Sequence, residues 1–160
     1  MRLIQSRPRR FLLGVIGTLC CVVATACGND SAEPTTSQTL TPRSSPSAVV
    51  TAFLKALDNH DSGAAVALTT RARGKSLEME IDSPLRDTKS ITDIHIADTT
   101  KLGRITSGHM TGWQSVDVDV RYDLQQYHAI SMPNGLTGMG FTLVRPGPTQ
   151  RWLISGAGQG

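Results

Sequence analysis

Apolar residues recur along this chain in two rhythms. Val49, Val50, Phe53, Leu54 and Leu57 fall three and four apart, with Lys55 and Asp58 off the stripe. That spacing marks one buried face of an α-helix. Ser45-Pro46 just ahead supplies an N-cap hydroxyl and a proline at the first helical position, so a helix is predicted from Pro46 to about Asn59-His60. Asp61-Ser62 then caps a second helix through Ala64, Ala65, Val66 and Leu68, whose small side chains permit close packing. A third, weaker helical stretch runs from about Thr70 to Glu80, interrupted by Gly74 and ended by Ser83-Pro84.

After Pro84 the period drops to two. Ile91, Ile94 and Ile96 predict a strand with an irregular register between the first two. Val116, Val118, Val120, Tyr122 and Leu124 alternate cleanly, with Asp117, Asp119, Arg121 and Asp123 on the opposite face. Met139, Phe141 and Leu143 form a third strand, ended by Pro146-Gly147-Pro148, and Trp152 with Ile154 a short fourth. Three helices followed by four strands is an α+β order: N-terminal helices packed on a curved antiparallel sheet of about four strands. The inward face is expected to carry Ile94, Ile96, Val116, Val118, Val120, Met139, Phe141, Leu143, Trp152 and Ile154. A domain of about 115 residues buries roughly two-thirds of its unfolded surface, enough for a core without cross-links.

Composition changes the picture mainly at the N-terminus. The net charge of +3 comes from Arg2, Arg7, Arg9 and Arg10; from Cys27 onward thirteen Asp and Glu face twelve Lys and Arg. A near-neutral domain with 4% aromatic residues offers neither the charge nor the stacking surface of a nucleic-acid binder. Phe11 to Ala26 is an apolar run of sixteen residues, short of the roughly 20 that span a bilayer. With the basic stretch before it and Ala24-Thr25-Ala26 after it, residues 1–26 read as a secretory signal peptide.

Ala24-Thr25-Ala26-Cys27 resembles the lipobox of bacterial lipoprotein precursors, departing from it at Ala24, where Leu, Val or Ile is usual. The resemblance implies that Cys27 is diacylated and becomes the N-terminus, holding the protein on the extracytoplasmic face of the cell membrane through a diacylglyceryl anchor. Cysteine usage agrees. Cys20 and Cys21 lie in the segment to be removed, so nothing remains to pair with Cys27. Pro8-Arg9-Arg10-Phe11-Leu12-Leu13 also resembles the twin-arginine export pattern. Residues 27–45, rich in Ser, Thr and Pro with Leu40 the only sizeable apolar side chain, read as a flexible linker, and residues 46–160 as the domain.

That domain resembles the NTF2-like (cystatin-like) superfamily. The residues concerned are Pro46-x-x-Val49-Val50-x-x-Phe53-Leu54-x-Ala56-Leu57, then Asp61-x-x-x-Ala65, and finally Arg151-Trp152-Leu153-Ile154-x-Gly156-x-Gly158. The resemblance implies a cone of helices and sheet around a pocket, in a superfamily that includes isomerases, dehydratases and many inert binding domains.

Candidate chemistry is sparse. The expected inward face holds no acid and no histidine, and only Tyr122 and His128 fall near the expected pocket mouth. His60, His95, His109 and His128 are too dispersed for a metal pattern, and Asp93 with His95 is a polar pair on one strand. The Asp117–Asp123 ladder lacks the central glycine and distal glutamate of an EF-hand. Gly156-x-Gly158-x-Gly160 has no following helix to hold a pyrophosphate. These readings point to a lipid-anchored, extracytoplasmic binding or accessory module with no cofactor, no metal and no catalysis of its own. Its partner would be a small hydrophobic ligand, another envelope protein or a second copy. The alternative is a small isomerase- or dehydratase-type enzyme with a pocket acid or base.

Overall fold

A computed structural model describes residues 40–129 and 132–159. Ser45 caps α1 (Pro46–Asp58) by accepting from the Ala48 N–H, as the Ser-Pro start predicts. Asp61 caps α2 (Ser62–Ala67) in the same way, through Ala64 N–H. Between them the chain turns at His60, whose φ of 56° places it in the left-handed region.

The third helix, α3 (Arg71–Met79), runs through Gly74 without a break. Gly74 has a packing role. A Cβ there would meet Thr69 Oγ1 at 2.9 Å and Val66 Cγ1 at 3.0 Å, so the missing side chain lets α3 lie close on the end of α2. Ser83-Pro84 does more than end a helix: it starts a four-residue one, α4 (Pro84–Asp87), with Ser83 as cap.

Four strands follow, β1 (Thr88–Arg104), β2 (Gln114–Gln126), β3 (Gly135–Arg145) and β4 (Leu153–Gly158), each antiparallel to its neighbour in the order β1-β2-β3-β4. Ile154 also makes an isolated parallel bridge with Thr69, tying the helical segment to the β4 edge. Asp58, off the apolar stripe of α1, accepts the Ile91 N–H at 2.8 Å and joins the end of α1 to β1.

The core lies between α1 and the inner face of the sheet, where Val50, Leu54, Val118, Val120, Leu143 and Ile154 are almost fully buried. Ile96 departs from the expected inward set: it is 37% exposed. Register shifts between Thr92 and His95 and between Ile96 and Asp98 twist β1 off strict alternation. The described core falls wholly within one compact unit, Thr36–Gly160. Leu40, from the expected linker, packs against this core, and Thr41–Ser44 closes into a turn with Ser44 N–H donating to Thr41 O.

Candidate ligand-binding cavity

The packing leaves a cavity of about 220 Å³ between the helices and the sheet. Most of its wall is apolar and drawn from the core. Phe53 and Leu57 come from the inner stripe of α1, Leu77 from α3, and Phe141 and Ile154 from β3 and β4. Phe53 and Phe141 meet edge to face, with ring centroids 5.9 Å apart. Met132 and Met139, partly buried, complete the wall with side chains that adapt to the shape of an occupant.

The polar lining is concentrated on α3 and the loop after it. Arg73 and Glu80 form an ion pair at 2.8 Å, with side chains 23% and 35% exposed, which places them at the opening. Ser76 Oγ donates to the same Glu80 oxygen at 2.7 Å. Arg73 and Leu77 share one face of α3 and Glu80 is its C-cap, so the helix and its end supply both wall and rim. Arg86 braces the loop by donating to the carbonyls of Glu78, Glu80 and Ile81. Asp82, from that loop, also lines the cavity.

Tyr122 lines the cavity from β2 and is only 4% exposed. Burial pushes its hydroxyl up from 10.0 to about 12, so the phenol is neutral at physiological pH. A neutral phenol donates or accepts a hydrogen bond readily but gives up its proton poorly. Gln126, four residues on along the same face, donates through Nε2 to Asp87 Oδ2 at 3.3 Å. Because a carboxylate only accepts, this contact fixes the amide with Oε1 turned the other way, buried and without a hydrogen-bond partner.

Of the two residues expected near the pocket, Tyr122 is in its wall and His128 is not. His128 stands 76% exposed beside the buried carboxylate of Asp87, with Nδ1 3.0 Å from Oδ1. Asp93, at φ 52°, sits in the β1 bulge, so the alternation that would put it on one face with His95 is interrupted there. Asp119 and Arg121 point to the outer face, opposite Val118 and Val120, and Asp119 pairs across the strands with Asp98. Among the described residues no cluster of three or more His, Cys, Asp or Glu could hold a metal ion. Nor is any described helix long and apolar enough to cross a membrane. Cys27 and its flank Ala24, Thr25 and Ala26 lie outside the described residues.

Comparison with protein families, curated proteins and solved structures finds no match. Sequence reasoning missed Arg73, Glu80 and Asp82 because it sought pocket chemistry on the strands; the Arg73-Leu77-Glu80 spacing was the available signal. Asp87 carried no signal at all, since its partner His128 lies 41 residues away.

Proposed function

We propose that this chain is a bacterial lipoprotein whose NTF2-like domain, held on the extracytoplasmic face of the cell membrane through Cys27, binds a small hydrophobic ligand and performs no chemistry on it. The observation that carries the ligand is the cavity of about 220 Å³ walled by Phe53, Leu57, Leu77, Phe141 and Ile154. Apolar walls of this kind favour an apolar occupant over water. The anchor rests on Ala24-Thr25-Ala26-Cys27 and on the absence of any second cysteine after position 27. Two acyl chains meet the two-signal requirement for stable attachment.

Docking of a protein on the sheet edge is the weaker binding mode. β1, a long edge strand, carries register shifts and a left-handed Asp93, features that discourage strand addition. The enzymatic reading is favoured by the Tyr122 hydroxyl in the cavity wall and by the Glu80 and Asp82 carboxylates in its lining. Held neutral, Tyr122 could donate a hydrogen bond to a substrate oxygen, but Glu80 is already engaged by Arg73 and Ser76 at the opening.

Native mass spectrometry of the protein released gently from its envelope tests the proposal. A non-covalent adduct of small mass is expected, together with a covalent diacylglyceryl increment that Cys27→Ser abolishes. A bare polypeptide mass would sink both parts. Turnover of a substrate that is lost in Tyr122→Phe would move the assignment to the enzymatic reading.

A further inference from the structure

The cavity end of the domain is also where apolar side chains stand out into solvent. Among the described side chains, five large apolar ones are exposed: Met79, Ile81, Ile96, Tyr127 and Leu136. All but Ile96 belong to one end of the fold. Met79 and Ile81 flank Glu80 in the chain, Ile81 precedes Asp82, and Tyr127 follows Gln126; Glu80, Asp82 and Gln126 all line the cavity. Asp87 O accepts the Tyr127 N–H at 2.9 Å, which joins α4 to the end of β2. Leu136 starts β3 at that same end, paired with Asp123.

Ile81 is 93% exposed, yet its loop is braced, because Arg86 donates to the carbonyls of Glu78, Glu80 and Ile81. Single apolar side chains set among Glu78, Glu80, Asp82 and Arg86 do not make the continuous face that a protein interface needs. They suit a headgroup layer, where charges stay wet, apolar tips sink and a tyrosine sits at the boundary.

The covalent tether permits that contact. Ser47 Oγ lies 3.0 Å from Thr99 Oγ1, and Asp58 accepts the Ile91 N–H, so α1 runs toward the cavity end and the chain enters at the other. Thirteen peptide units link Cys27 to Leu40 and span roughly 45 Å when fully extended, against about 20 Å for the length of α1. Tethering also raises the local concentration, so a few apolar contacts suffice where a free protein would not stay bound. Given the Cys27 anchor proposed above, we infer that the tip carrying Met79, Ile81, Tyr127 and Leu136 rests in the headgroup layer of the membrane that holds the anchor, and that the cavity opens toward lipid.

Lipidated protein in phosphatidylcholine–phosphatidylglycerol vesicles tests this. In the mature, acylated chain an introduced cysteine is the only free thiol. A bimane label is placed through Ile81→Cys, through Tyr127→Cys, or through Gln150→Cys in the turn after β3, at the opposite end of the sheet. Doxyl-labelled lipids are expected to quench the label at positions 81 and 127 about threefold or more above that at 150. Met79→Ser combined with Ile81→Ser should bring the Tyr127→Cys label down to the Gln150→Cys level, with flotation on vesicles unchanged. Equal quenching at the three positions in protein that floats with vesicles overturns the inference, as does a contrast that survives the double serine variant. Protein that fails to float with vesicles overturns the anchor reading itself, and the inference with it.

Discussion

Asp87 and His128, 41 residues apart, meet twice through one oxygen: Asp87 Oδ1 accepts the His128 backbone N–H at 2.9 Å and lies 3.0 Å from its ring Nδ1. Asp87 Oδ2 also accepts from Gln126 Nε2, while its main-chain carbonyl accepts the Tyr127 N–H. A single side chain at the end of α4 thus fastens the end of β2, next to the cavity wall.

The two partners are therefore predicted to matter unequally. Asp87→Ala leaves the His128 backbone N–H and the Gln126 amide without their acceptor and should cost about 1–3 kcal/mol. His128→Ala keeps the backbone contact and removes only a solvent-exposed ring, costing less than about 1 kcal/mol. Urea denaturation of both variants checks the contrast; equal losses would place the clamp in the ring instead.

Gly74→Ala sets two effects against each other. Alanine gains about 1 kcal/mol of helix propensity over glycine. The new Cβ, however, would lie 2.9 Å from Thr69 Oγ1, a hydroxyl held in place by donating to Val66 O at 2.8 Å. Overpacking costs typically 1–3 kcal/mol, so a net loss of about 1 kcal/mol is expected, read as a lower urea midpoint. A gain in stability would show that α2 and α3 separate freely.

Tyr122 predicts a pH dependence at the alkaline end. Its hydroxyl ionises near 10.0 when unfolded and only near about 12 when folded. Below pH 10 both states keep the proton and stability is unaffected. Between 10 and 12 the unfolded chain loses its proton first, so stability falls as pH rises, by roughly 2–3 kcal/mol across the window. In a Tyr127→Phe background Tyr122 is the only phenol, and its ultraviolet phenolate signal should appear only near pH 12 or together with unfolding. Tyr122→Phe should flatten this part of the stability profile.

Leu77→Ala connects stability to the cavity. Leu77 is almost fully buried and forms part of the wall, so its truncation should cost about 2–4 kcal/mol and enlarge the void. Hydrocarbon probes larger than those the natural cavity takes up should then displace the methyl NMR signals of Met132 and Met139 in its wall. An unchanged size limit would mean the wall collapses into the space.

The sequence by itself determined α1 to α3, the four strands and the α+β class, because caps and periodicity are local. Ser45-Pro46 and Asp61-Ser62 start their helices with their own side chains, and Val116 to Leu124 alternates whatever pairs with it. Tyr122 was legible as a cavity residue for the same reason: it continues that alternation. Tertiary structure decided the rest. The exposure of Ile96 depends on bulges set by pairing with β2, and the use of Gly74 depends on where α2 ends. The rim of Arg73, Glu80 and Asp82 exists only because α3 is laid against β4 through the Thr69–Ile154 bridge. Asp87 finds His128 only after the sheet is assembled. Polar partners far apart in the chain leave no periodic trace, because a hydrogen bond constrains two atoms and not the residues between them.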